Sequence, residues 1–153
     1  MDKHVYDFMA ATIEVASENP AAPYGAIIVY DDKEILAKSV NNAENNPIMH
    51  GELSVIHQLF DNGFDGDVNK LSLYSTAEPC PMCVAAIYWA GIPKVIYGSS
   101  IAFLHELFGR QIQVGAKEVL SKTPEFYSCS LIGGVMKEDC DQLFFQARKS
   151  EYI

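Results

Sequence analysis

Val5, Phe8, Met9, Thr12, Ile13 and Ala16 recur at helical spacing, so residues 4–18 read as an amphipathic helix, and Asn19-Pro20 ends it. The period then changes. Residues 26–30 form an apolar, β-branched run, Asp31-Asp32-Lys33 reads as a turn, and residues 34–40 read as the partner strand of a hairpin. Residues 41–47 are a loop, four of the seven being Asn. Residues 50–60 set Leu53, Ile56, Leu59 and Phe60 on one helical face, and the Gly- and Asp-rich stretch 61–69 is a loop. A strand follows at 71–75. A helix at 81–90 has Pro81 in its first turn, with Gly91 and Pro93 beyond its end, and residues 94–99 form another strand. Past residue 100 the pattern weakens. Short helices are expected at 101–108 and 114–120, a strand at 127–132, and a terminal helix at 138–149 with Cys140, Leu143, Phe144 and Ala147 inward. This alternation predicts one layered α/β domain over residues 1–153, built on a mixed sheet.

Length and composition agree with that expectation. A chain of 153 residues with 49% apolar and 20% charged residues can bury a core without disulfide staples. No apolar run approaches the roughly 18 residues of a membrane span. The first twenty residues carry scattered acidic side chains and no continuous apolar core, so they read as a surface helix and not an export signal. The four cysteines are therefore expected unpaired, in a reducing, cytoplasmic setting. Net charge is −9, and the isoelectric point is about 4.8. No basic cluster is denser than Arg148-Lys149, which argues against a nucleic-acid partner and leaves a small neutral substrate unopposed.

One constellation carries chemistry: His50-Gly51-Glu52, followed by Pro79-Cys80-Pro81-Met82-Cys83. Imidazole and thiolate are the usual zinc ligands, and three protein ligands leave a position for water, the mark of a catalytic site. Zinc lowers the pKa of such a water toward ~7. A carboxylate beside it can take the proton and deliver it to a leaving amine. The pattern His-x-Glu with Pro-Cys-x-x-Cys is the signature of zinc-dependent base deaminases, with Glu outside the ligand set. His50 and Cys80 both fall at predicted helix starts, where the partial positive charge favours thiolate. Because residues two apart on a regular helix diverge, His50 is expected in the irregular first turn, so that it and Glu52 reach one site. A redox Cys-x-x-Cys pair would sit oddly between Glu78-Pro79 and a helix start. A structural zinc site lacks a second ligand pair to complete four donors. Cys129 and Cys140 read as packing residues, His4 as solvated, His57 as surface or supporting, and His105-Glu106 as a possible ligand-facing segment.

These residues resemble the cytidine deaminase-like superfamily over most of residues 5–98, and within it the bacterial guanine deaminase branch. Pro23-Tyr24-Gly25-Ala26 is similar to the first-strand segment, Asn41-Asn42 to the Asn pair ending the second strand, and Ala86-Ile87-Tyr88-Trp89-Ala90 to the branch. The resemblance implies a three-layer α/β/α fold on a five-stranded mixed sheet, a Zn2+ cofactor on His50, Cys80 and Cys83, and Glu52 as the catalytic proton carrier. It further implies a homodimer, a nucleobase substrate and a catalytic water. Guanine, or a related aminopurine or aminotriazine, is the expected substrate. Deamination of tRNA adenosine or of cytosine or cytidine are the alternatives in the same class, and a zinc-binding scaffold is the alternative outside it. Asn41 would bond the ring edge, while the Gly51 N–H and the carbonyl of Ala77 or Glu78 would frame the amine-bearing carbon. Tyr24 either lines the pocket or packs at the strand entry. Trp89 belongs to core or dimer interface, and Tyr152 either closes a neighbouring subunit's pocket or frays.

The chain departs from that branch in three ways. Gly51 stands where the family usually has Ala, which would loosen the turn. The loop from Asn41 to His50 is short. Residues 95–105 hold no Asp or Glu to read a purine, and Glu106 is the nearest acid.

Overall fold

The structure, a computed structural model, describes residues 1–151. Its elements are α1 (Lys3–Ala16), β1 (Gly25–Tyr30), β2 (Glu34–Val40), α2 (Gly51–Asp61), a short 3-10 turn (Val68–Lys70), β3 (Leu71–Ala77), α3 (Pro81–Ala90), β4 (Lys94–Ser99), α4 (Ile101–Phe108), α5 (Ala116–Leu120), β5 (Ser130–Ile132) and α6 (Lys137–Glu151). The five strands lie in the order β2-β1-β3-β4-β5. The β1 strand pairs antiparallel with β2 and β3, whereas β3–β4 and β4–β5 are parallel, so the sheet is mixed.

Both faces of this sheet are covered, and alternate residues show it. Ala26 and Ile28 of β1, Leu71 and Leu73 of β3 and Val95 of β4 share one buried cluster with Val55, Ile56 and Leu59 of α2 and Ile87 of α3. Ile27 and Val29, Tyr74 and Ile96 point the other way, into a cluster with Val5, Met9 and Val15 of α1 and Cys140 of α6. A strand buried on both faces must be apolar throughout, which is why 26–30 reads as a continuous apolar run. Two close approaches bring helices onto the second face. A β-carbon at Gly25 would lie 2.7 Å from the Ala16 nitrogen of α1, and one at Gly98 would collide with the Cys140 sulfur of α6. The three-residue hairpin turn carries Asp31 at φ 55° and Asp32 at φ 53°, in the left-handed region that Asp adopts more readily than most side chains.

Three expectations are corrected, and for Trp89 the core alternative is excluded. The strand expected at 127–132 is only Ser130–Ile132. Tyr127 lies outside it, its amide bonded to Pro124 in a turn and its hydroxyl donating to the Ile92 carbonyl at 2.6 Å. The helix expected at 114–120 starts at Ala116. On α2, Phe60 is exposed and stacks edge-on with Phe64, while Val55 takes the inward position. Trp89 is 81% exposed and belongs to no core of this chain.

Candidate metal and catalytic site

The site forms where two helices begin. His50 is the N-cap residue of α2, at φ −65° and ψ 161°, and Cys80 is the N-cap residue of α3, at φ −68° and ψ 167°. N-cap side chains commonly bond back to the first-turn amides. Neither of these does, so both extended backbones send their side chains outward to a common point. Cys83, on the first turn of α3, is fully buried and completes the set. The His50 Nδ1 is 3.6 Å from the Cys80 sulfur and 3.7 Å from the Cys83 sulfur. All three donor atoms lie within 4.8 Å of one another.

These residues fit zinc. Tetrahedral Zn2+ with bonds of about 2.3 Å to sulfur and about 2.0–2.1 Å to nitrogen requires a sulfur-to-nitrogen edge of about 3.6 Å. The two measured separations match that edge. The three donor groups shift one another's protonation. Hydrogen bonding from Cys83, then the approach of His50, holds the Cys80 thiol far below its usual range. The same bond to Cys80, together with burial, pushes Cys83 up. His50 is raised chiefly by its hydrogen bond to Cys80.

Glu52, in the first turn of α2, is only 3% exposed and lies against this cluster. The Cys83 thiol is 3.8 Å from its Oε2, and the Ser75 hydroxyl donates to its Oε1 at 3.1 Å. Burial raises its pKa above the ordinary carboxylate value. Ser75 was not among the sequence candidates, although the adjacent hydroxyls Ser75-Thr76, four residues before Pro79-Cys80, are the signal that marks it. Its neighbour Thr76 ties the entry of β1, donating to the Pro23 carbonyl at 2.8 Å and accepting from the Gly25 amide at 3.1 Å.

Gly51 is not a loosening of the turn: a β-carbon there would collide with the Tyr24 carbonyl oxygen. That carbonyl accepts from the Asn41 amide at 2.9 Å, which brings Tyr24, Asn41 and Gly51 to one corner. The Tyr24 ring packs on Phe144 of α6 at 4.9 Å. Ala77 ends β3, its register partner being Ser99. The Glu78 side chain turns away along a different path, accepting from the Ile101 amide at 2.9 Å and the Ala116 amide at 2.7 Å. His57 is exposed on α2, and Glu106 is exposed on α4, where it lines a groove with Phe103, Leu107, Phe145 and Arg148. Cys140 is buried, whereas Cys129 is half-buried. Tyr152 lies outside the described residues.

The fold thus brings a three-donor cluster and a buried carboxylate together at two helix starts. A family model for the cytidine and deoxycytidylate deaminase zinc-binding region matches residues 2–99, and the chain belongs to that family. Among curated relatives, a tRNA-specific adenosine deaminase of Rickettsia bellii (strain RML369-C) is 30% identical over 129 residues, which is 82% of this chain and 85% of the relative. A guanine deaminase of Bacillus subtilis (strain 168) is 35% identical over 98 residues, 60% of this chain and 62% of the relative. Among solved structures, a guanine deaminase from Nitrosomonas europaea superposes with a TM-score of 0.76 at 16% identity, covering 94% of this chain and 84% of that one, and shares the fold. Among the described residues no helix is long and apolar enough to cross a membrane.

Proposed function

We propose that the chain is a hydrolytic deaminase of a free aminated nucleobase, with guanine or a related aminopurine or aminotriazine as substrate. The observation that carries the reaction is the buried Glu52 carboxyl set against His50, Cys80 and Cys83. His50, Cys80 and Cys83 would hold Zn2+, which when bound makes a water nucleophilic at neutral pH. Glu52 accepts one proton from the attacking water and passes it to the ring nitrogen, then takes the second from the newly attached hydroxyl and passes it to the departing amine. A carbon–oxygen bond forms, the carbon–nitrogen bond breaks, and ammonia leaves. A carboxyl whose pKa is raised by burial suits a group that is protonated for part of each cycle. The Ser75 hydroxyl fixes the orientation of Oε1. Asn41 orients the ring edge. Gly51 is the first residue of α2, so its N–H has no partner within the helix and is free to bond substrate. The carbonyl of Ala77 or Glu78 frames the amine from the other side.

The net charge of −9 favours a small base over a polyanion. The second reading, a tRNA adenosine deaminase, draws on the longer match to the Rickettsia protein. Ammonia release from guanine, guanosine, cytosine, cytidine, adenine, an aminotriazine and a tRNA stem-loop separates the two. Turnover of guanine or another free base with the stem-loop inert is the expected result; turnover of the stem-loop alone would replace this reading with the second.

A further inference from the structure

We infer that Glu78 is a positioning residue for substrate recognition, holding the starts of α4 and α5 beside the site with the two oxygens of one carboxylate. Its own main chain is fixed first. The Glu78 amide donates to the Ser99 carbonyl at 2.7 Å, which ties the loop before Cys80 to the end of β4. The Ser99 hydroxyl in turn donates to the buried Asp141 of α6 at 2.5 Å. From that anchor Oε1 accepts from Ile101 at 2.9 Å and Oε2 from Ala116 at 2.7 Å. Ile101 and Ala116 are the first residues of α4 and α5. First-turn amides have no partner inside their helix, and a negative group is favoured at that end. Ser100 caps a different amide of α4, that of Phe103, at 3.1 Å. The N-cap of α5 is Gly115, which has no side chain to cap anything, and a β-carbon there would come within 3.2 Å of the Glu78 Oε2. Glu78 thus supplies from the metal motif what α5 lacks locally.

The segment so held packs as a wall against elements that carry the site. Leu104 of α4 shares a buried cluster with Ala77 and Phe144, and Tyr24, Phe103, Leu107 and Phe108 pack around it. The α5 helix packs on α3, whose N-cap is Cys80. Both helices follow the carboxyl end of β4, beside that of β3, where open α/β sheets bind their ligands. A carboxylate with both oxygens committed to main-chain amides is not placed to carry protons. Its effect on the reaction runs through the position of the 100–120 wall. This inference rests on the deaminase reading for the identity of the ligand, but not for the clamp itself.

The test uses full-length, zinc-loaded protein. Glu78→Gln swaps one accepting oxygen for an NH2 that faces a main-chain N–H; Glu78→Asp keeps the charge but is one methylene too short to span both helix starts. In the wild-type protein the Ile101 and Ala116 amides are expected to be protected from hydrogen exchange, and fast exchange at either would overturn the clamp outright. In both variants zinc content is expected to hold, with exchange at those amides faster by about tenfold. On the substrate the wild-type protein deaminates, KM is expected to rise about tenfold with kcat within about threefold. Unchanged exchange in the folded variants, or a fall in kcat at constant KM, would overturn the proposal. A wild-type protein that deaminates nothing would defeat the proposed function and leave the exchange measurement to decide the clamp.

Discussion

His50 and Cys80 occupy the same position of two different helices, and each gives up a local cap to reach a shared point. Glu52, two residues past His50, bears a cost of a different kind. Burial penalises its charged form, so its pKa in the folded state lies above the ordinary 4.5. For a carboxyl shifted upward, the folded state binds more protons than the unfolded one between the two pKa values. The group's contribution to stability is therefore present below 4.5 and is lost as pH rises through the raised value. In metal-free protein, Glu52→Gln is expected to gain stability relative to wild type as pH is raised from acid toward neutral, read as the difference in thermal midpoint. A difference that does not move with pH would contradict the assigned burial cost. At this scale the metal motif was legible because its spacing is local: the ligands lie within a few residues of predicted helix starts. Glu78 was not legible as a clamp, because its partners Ile101 and Ala116 are 23 and 38 residues on. Gly51 was misread for the same reason, since the Tyr24 carbonyl that demands it belongs to another element.

The elements divide along similar lines. The helices α1 and α2 were readable from their period, α3 from its apolar run between Pro81 and Gly91, β1 from its continuous apolar run, and β2 from the Asp31-Asp32-Lys33 turn before it. The β5 strand was overextended, since it has three residues with none buried and Tyr127 is held by a turn bond instead. How α6 meets the sheet was also unreadable. It depends on Gly98, where the absence of a side chain lets Cys140 approach β4. Gly98→Ala is expected to push α6 from the sheet and lower stability by about 1–3 kcal/mol. Denaturant unfolding measures this, and a variant as stable as wild type would show that α6 is not seated by that contact.

Over the whole molecule, the exposed aromatic side chains stand out from the acidic surface. Trp89 stands 81% exposed, edge-on to Tyr88 at 5.0 Å, and Tyr88 meets Tyr127 at 5.2 Å. The family match ends at residue 99, the last residue of β4. The proposed reaction turns on Glu52. The most direct measurement compares zinc content and ammonia release from the best substrate for wild type and Glu52→Gln. Full zinc in both, with turnover in the variant lower by a factor of at least ~10², is the predicted result; a zinc-loaded variant that releases ammonia at the wild-type rate would contradict the account.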